Sequence, residues 1–173
     1  MHDPKAKIPT LDHPTLPHIK AAFKDVSLQA TEYRGLTTLV TPPDKAHEIL
    51  HFLRNDPACN YEFLADVTAV DYQGYPVDQP ARFAVVWVVR SYTNDLMLVV
   101  KSYLEPSMDT LGADIDPALE IDSICDIWIG AEWMEREVFD MFGITFRNHP
   151  DLRRILLWKD YPAFPLRKEE AGK

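Results

Sequence analysis

The run FAVVWVV, Phe83 to Val89, constrains this chain more than any other stretch. It is strand-sized, rich in β-branched and aromatic residues, and apolar on both alternating sets. A strand of that kind cannot leave either face in water, so helices or another protein must cover its second face. Its surroundings make it half of a hairpin. RFAVVWVVRSY (Arg82–Tyr92) and LMLVVKSYLE (Leu96–Glu105) are joined by Thr93-Asn94-Asp95.

The other elements arrange themselves around that hairpin. YEFLADVTAVDY (Tyr61–Tyr72) enters the same sheet, and QGYPVDQP is the turn-rich loop after it. Two shorter strand-like runs, Val26–Tyr33 and Leu36–Thr41, flank Arg34-Gly35 as a tight turn. Pro42-Pro43-Asp44 opens a helix through Arg54, with Asp44 as its N-cap and Ala46, Ile49, Leu50 and Leu53 as its apolar stripe. Asn55-Asp56-Pro57 stops it. Residues 1–18 hold four of the 14 prolines and read as an irregular leader, followed by a short helix around His18–Lys24.

After a loop containing Pro106, Gly112 and Pro117, IDSICDIWIG reads as a helical turn capped by Asp122 or Ser123. A helix over Glu132–Phe142 follows, closed by Gly143. DLRRILLW also looks helical, whereas KDYPAFPLRKEEAGK has two prolines and no core pattern. The predicted architecture is α+β: a mixed, largely antiparallel sheet flanked by helices, with an extended irregular C-terminal arm. The leader spans 1–18, the domain 19–158 and the arm 159–173. Truncation before Asp160 is therefore expected to leave the domain folded.

Charge narrows the function classes. The net charge is -9, which opposes binding to phosphate backbones, so nucleic acid is an unfavourable partner. The acid is unevenly placed: from Arg147 onward seven basic residues stand against four acidic ones, a basic tail suited to docking on something acidic. Cys59 and Cys125 are isolated, with no CxxC and no histidine beside them in sequence, which excludes an ordinary iron–sulfur or zinc framework and fits a reducing compartment. No apolar signal region opens the chain, and no run reaches the roughly 18 apolar residues of a membrane span. A water-soluble, cytoplasmic protein is expected.

The densest chemistry lies in EWMEREVFDMFGITFRNHPDLRRILL, Glu132 to Leu157. At helical pitch Met134, Val138, Met141 and Phe142 form one apolar face, while Glu132, Arg136, Glu137 and Asp140 gather opposite with Trp133 among them. Glu132–Arg136–Asp140 reads as an i, i+4 ladder of alternating sign. Glu135 breaks the pattern, falling between Phe142 and Phe139 on the edge of the apolar face. A carboxylate there is either strongly paired or has a raised pKa.

Three readings compete for this stretch. A carboxylate metal site needs Glu-x-x-His pairs on facing helices; here the i+3 partner of Glu132 is Glu135, and a second helix of the same kind is missing. Acid/base catalysis needs a nucleophile or bound electrophile opposite, yet the sequence has no GxSxG elbow, no Cys–His arrangement and no glycine-rich phosphate loop. The third is an ionic joint, in which the helix acids meet Arg147, Arg153 and Arg154 or a partner's arginines. His149, before Pro150, reads as a turn residue bonded to backbone.

The run EREVFDMFGITFRNHPDLRRILL closely resembles the signature of the 30-kDa subunit of respiratory complex I, the proton-pumping NADH:quinone oxidoreductase. Glu135, Arg136, Glu137, Asp140, Met141, Phe142, His149, Arg153, Ile155 and Leu156 fill its places without a gap. FLADVTAVDYQG, DIWIGAEW and PLRKE (Pro165–Glu169) extend the resemblance over most of Tyr61–Glu169. One departure is Ala163-Phe164, where a Gly-His-like pair would be expected.

The resemblance implies a non-catalytic structural and assembly subunit of the peripheral arm, docked on the 49-kDa-type large subunit that helps form the quinone pocket. It implies no cofactor on this chain, with FMN, iron–sulfur clusters and quinone on other subunits. It also implies a position on the cytoplasmic face of the bacterial inner membrane, held through the complex alone. Glu135, Arg136, Glu137, Asp140, His149, Arg153, Arg154, Arg167 and Lys168 then become interface or signature residues, and no catalytic residue is expected. The nearest alternatives are the equivalent subunit of a membrane-bound hydrogenase or of a ferredoxin- or deazaflavin-fed quinone reductase. A free-standing acid/base enzyme using Glu135 and His149 is the rival from another class.

Overall fold

The computed structural model describes residues 11–108 and 115–169. The first ten residues of the expected leader, Gly112 of the loop and the end of the arm lie outside that range. The main sheet has five strands: β1 (Gln29–Tyr33), β2 (Leu36–Val40), β3 (Phe63–Asp71), β4 (Phe83–Ser91) and β5 (Leu96–Leu104). Their spatial order is β1-β2-β5-β4-β3, antiparallel throughout except where β2 runs parallel to β5. The predicted α+β class, mixed and largely antiparallel, is the observed one. A small parallel pair stands apart, β6 (Glu120–Asp122) on β7 (Thr145–Arg147).

The apolar run lies within β4, between β5 and β3, and its two faces meet different neighbours. Phe83, Val85, Trp87 and Val89 join the main core with the stripe of α2 (Ala46–Asn55), where Ala46, Ile49, Leu50 and Leu53 are all buried. On the other face Ala84 pairs with Tyr103, and the loop after β3 folds back over that end. Tyr103 donates to Gln79 Oε1 at 3.0 Å, and Lys101 donates to the Tyr72 hydroxyl at 2.9 Å. Towards the far end this face opens, and Phe63, Met97, Tyr92 and Tyr33 are exposed. The second face is thus covered at one end by a loop and not by helices.

Local chemistry accounts for most boundaries. Arg34 and Gly35 both take positive φ, 53° and 79°, which gives the two-residue hairpin between β1 and β2 its twist. The first helix, α1 (Thr15–Ala22), begins earlier than its sequence suggests, because Pro17 is tolerated in a first turn and Thr15 is buried against the Tyr61 hydroxyl at 2.8 Å. Pro43–Lys45 form a 3₁₀ turn ahead of α2, and no side chain caps either start, so Asp44 is not the N-cap.

Two further sequence readings are decided by the structure. Of the two caps offered for the helical turn, Ser123 is the one used, its hydroxyl accepting the Cys125 N–H at 3.2 Å ahead of the turn at Ile124, while Asp122 belongs to β6. DLRRILLW is not helical; it crosses the third helix, α3 (Ala131–Phe142), as irregular chain. Its amides bond to a side chain rather than to one another.

Candidate functional site

Gly143 ends α3 in the left-handed conformation (φ 71°), its N–H bonded to the Phe139 carbonyl. The turn sends the chain through β7 to Asn148, and the segment from His149 returns along the helix. Arg136 and Asp140 of α3 are therefore covered by their own downstream sequence.

Asp140 is the tie between them. Its side chain is fully buried; Oδ2 accepts the backbone N–H groups of Ile155, Leu156 and Leu157 at 3.0, 2.7 and 3.0 Å, while Oδ1 accepts Arg154 Nη1 at 2.7 Å. Burial alone would push this carboxyl up, but the amides of Leu157 and Leu156, the Arg154 guanidinium and the Ile155 amide outweigh it and hold the carboxyl below the usual range. Arg154 carries the tie onward, donating to the carbonyls of Asp140, Tyr161 and Ala163.

The predicted Glu132–Arg136–Asp140 ladder is not formed among the described residues. Arg136 is 5 % exposed, donates to the Arg153 carbonyl at 3.1 Å and lies 4.8 Å over the Trp133 ring. A single exposed i, i+4 pair contributes only a few tenths of a kcal/mol, so a buried carboxylate with three amides available does not hold its helical neighbour.

Glu135 lies where its helical position requires, at 0 % exposure. Its carboxylate accepts Ser123 Oγ at 2.6 Å and the Ile124 N–H at 2.8 Å, with Cys125 Sγ at 3.4 Å. Burial raises its pKa against the opposing effect of those hydrogen bonds. Cys125, half-buried beside that carboxyl, is pushed up to about 12, chiefly by its partial burial, which makes it a poor nucleophile.

His149 comes within 3.9 Å of Glu135 Oε2, and its own bonds define its state. Nε2 donates to the Glu132 carbonyl at 3.1 Å, and Nδ1 accepts the Asp151 N–H at 3.0 Å, which is the neutral tautomer. The fold thus gathers Cys125, Glu135 and His149 with ligand atoms within 4.8 Å of one another, a proximity their sequence spacing conceals. Both ring nitrogens of His149 are already engaged, so the trio as built is a hydrogen-bonded hub joining the 123–125 turn, α3 and the 148–151 turn.

The remaining signature residues scatter. Arg153 pairs with Asp151 on the surface, Arg147 pairs with Asp122 and Glu120, and Glu137 is exposed. Arg167 is buried under Gly143, with Nε donating to the Phe142 carbonyl at 2.6 Å and its guanidinium 4.6 Å from the Phe164 ring. Lys168 contributes through its backbone N–H, which reaches Asp71 Oδ2 at 2.9 Å.

That last contact belongs to a group the sequence did not reveal. Asp71 closes β3, is bound by Arg82 through Nε and Nη2 at 3.1 and 2.9 Å, and Arg82 also pairs with Glu169. The one sequence signal was an acid on the buried alternation of an apolar strand.

Between α3 and the returning chain lies an open cleft of about 780 Å³, lined by Ile115, Phe139, Leu157, Tyr161, Pro162 and Phe164 among others, with Arg153, Lys159 and Asp160 also on its wall. Trp133, Leu156 and Trp158 are 60–65 % exposed.

Known proteins are similar to this chain in sequence and in fold. A family model described as the respiratory-chain NADH dehydrogenase 30-kDa subunit matches residues 39–173. An NADH-quinone oxidoreductase subunit of Citrifermentans bemidjiense is 41 % identical over 151 residues, covering 87 % of this chain and 84 % of that protein. Its namesake from Roseiflexus castenholzii is 36 % identical over 160 residues, covering 92 % and 84 %. Among solved structures, a trypsin-resistant fragment of Nqo5 superposes with a TM-score of 0.59 at 29 % identity, covering 80 % of this chain and 96 % of the fragment. A chain of an archaeal membrane-bound sulfane sulfur reductase shares the fold at TM-score 0.70 and 19 % identity, covering 90 % and 83 %.

Proposed function

The chain belongs to the respiratory-chain NADH dehydrogenase 30-kDa subunit family, and from that premise we propose that it is a structural, non-catalytic subunit of a proton-translocating NADH:quinone oxidoreductase. In this reading it sits in the peripheral arm, docked on the 49-kDa-type large subunit. FMN, iron–sulfur clusters and quinone are carried by neighbouring subunits. The complex holds the chain at the cytoplasmic face of a bacterial inner membrane; among the described residues no helix is long and apolar enough to cross one.

The observation that carries the reading is where the signature's bonding capacity goes. Glu135, Arg136, Asp140, His149 and Arg154 direct it inward, onto backbone and onto one another. A general acid or base needs a free lone pair or proton facing substrate. Facing outward are Trp133, Leu156, Trp158 and Arg153, beside an apolar cleft, together with Glu137 on α3. Tryptophan and arginine dominate binding energy at protein interfaces, and a rim of mixed sign, Arg153 and Lys159 beside Asp151 and Asp160, gives a partner charges to match in register.

The fold likeness to the archaeal reductase concerns the fold alone, so the electron donor must be read from the neighbouring chains. Purification of the native complex through a tag on this chain, with every co-purifying chain identified, tests the reading. The 49-kDa-type subunit and NADH-oxidising subunits are expected. Hydrogenase subunits would favour the alternative machine, and a lone chain that turns over a substrate would overturn the scaffold.

A further inference from the structure

α2 carries a ligand pattern that the proposed function leaves unused: His47-Glu48-Ile49-Leu50-His51. Histidines four residues apart on a helix share a face, the spacing at which two imidazoles reach a single ion. Their rings lie nearly parallel, 20° between planes, with centroids 6.4 Å apart. The turn before α3 brings Asp126 to the same place, with both carboxylate oxygens 3.0 Å from His47 Nε2. A cleft of about 360 Å³ opens there, lined by His47, Asp122, Ser123, Asp126 and Asn148. Asp122, which lines the same cleft, places a second carboxylate close behind the first.

We propose that His47, His51 and Asp126 form a surface site for one divalent transition-metal ion of the zinc type. Imidazole and carboxylate bind such an ion at roughly 2.0–2.2 Å, so two ligands of a tetrahedral centre stand a little over ~3 Å apart. His47 Nε2 and Asp126 already hold that separation. The ion replaces the proton between them, and neutral His47 carries its proton on Nδ1. His51 does not line the cleft as it stands, so the third contact requires its exposed ring to turn to another rotamer on the same helical face. Asp122, engaged by Arg147 at 2.8 Å, stays outside the ligand set and adds negative charge.

The chemistry stops at binding. In zinc peptidases the glutamate of this spacing acts as general base beside the ion. Glu48 instead pairs with Lys45 at 2.9 Å on exposed surface. Imidazole at two of three positions also selects against magnesium, which takes oxygen ligands.

Calorimetric titration of the metal-free full-length chain with zinc chloride tests the site, with zinc retained after desalting as a second readout. One ion per chain is expected, bound at least ~10-fold more weakly by His47→Ala, His51→Gln and Asp126→Asn, the loss typical of even an outer-shell defect. All three positions lie on the surface, and matched thermal unfolding verifies that the variants are folded. Glu48→Gln and Cys125→Ser should bind as the parent does, and magnesium chloride should give no heat. Absence of zinc uptake, or uptake unaffected by His51→Gln, would overturn the proposal. So would uptake abolished by Cys125→Ser, which would move the ion to the Cys125–Glu135–His149 hub.

Discussion

Replacing Asp140 with asparagine keeps one oxygen for the three amides but presents an NH₂ group to Arg154, whose guanidinium is then buried without its counter-charge. Breaking a buried pair in this way costs on the order of 3 kcal/mol, and chemical denaturation of the folded chain should show a loss of that size. Arg154→Lys should destabilise as well, because one ammonium cannot bridge Asp140, Tyr161 and Ala163 as the guanidinium fork does. The two buried acids pull against each other with pH. Asp140, with its depressed pKa, stabilises the fold above the ordinary aspartate range, and that contribution is lost as pH falls through its folded value. Glu135 runs the other way. Its raised pKa leaves its contribution intact below the ordinary glutamate range and removes it as pH rises through the folded value. Glu135→Gln abolishes that loss, so the variant should gain on the parent as pH is stepped upward from the glutamate range. A stability gap that stays constant over those steps would contradict the assignment. Helical pitch alone made Glu135 legible as an anomaly, because its angular position is local. Its partners Ser123, Ile124 and His149 were not legible, since they arrive from separate turns.

At the scale of elements, Gly143 links helix and arm. A Cβ there would stand 2.5 Å from Phe164 Cε2 and 2.6 Å from Arg167 Nη2, and its φ of 71° is the left-handed one. Gly143→Ala should therefore destabilise by about 2–3 kcal/mol, the left-handed penalty plus the displacement of a packed ring. Hydrogen exchange should show the amides of Leu166 and Arg167 losing protection first, since they bond to the Met141 and Phe164 carbonyls. The arm also changes the expectation for truncation. Phe164 and Arg167 are 1 % and 2 % exposed, and Lys168 and Glu169 bond into the Asp71–Arg82 pair. Ending the chain before Asp160 should lower the midpoint of thermal unfolding and its cooperativity; an unchanged transition would restore the sequence reading of a detachable arm. The strands, the α2 stripe and α3 were legible because their periodicity is written locally. The arm was not, because two aromatic or charged anchors in irregular chain produce no period. DLRRILLW misled for a related reason: its composition suits a helix, but Asp140 offers its amides a better acceptor.

Across the whole molecule, the basic end of an acidic chain is folded back so that its buried arginines serve the fold, while Arg153, Lys159 and two tryptophans remain outside. Arg153→Glu should reduce recovery of the chain in the assembled complex on native gels while leaving the folding of the isolated chain intact, because Arg153 pairs with Asp151 on exposed surface. Unaltered recovery would remove that face from the proposed interface. The open half of the sheet, with Phe63, Tyr92 and Met97 exposed, leaves the second face of β4 less covered than FAVVWVV alone predicts. In the reading proposed above, the charged helix binds its own chain together and does no chemistry. NADH:quinone turnover per assembled complex, measured with Glu135→Gln or Asp140→Asn in place, tests that most directly. Less assembled complex is expected for Asp140→Asn, and unchanged turnover per complex for both. Normal assembly with turnover lost would contradict it.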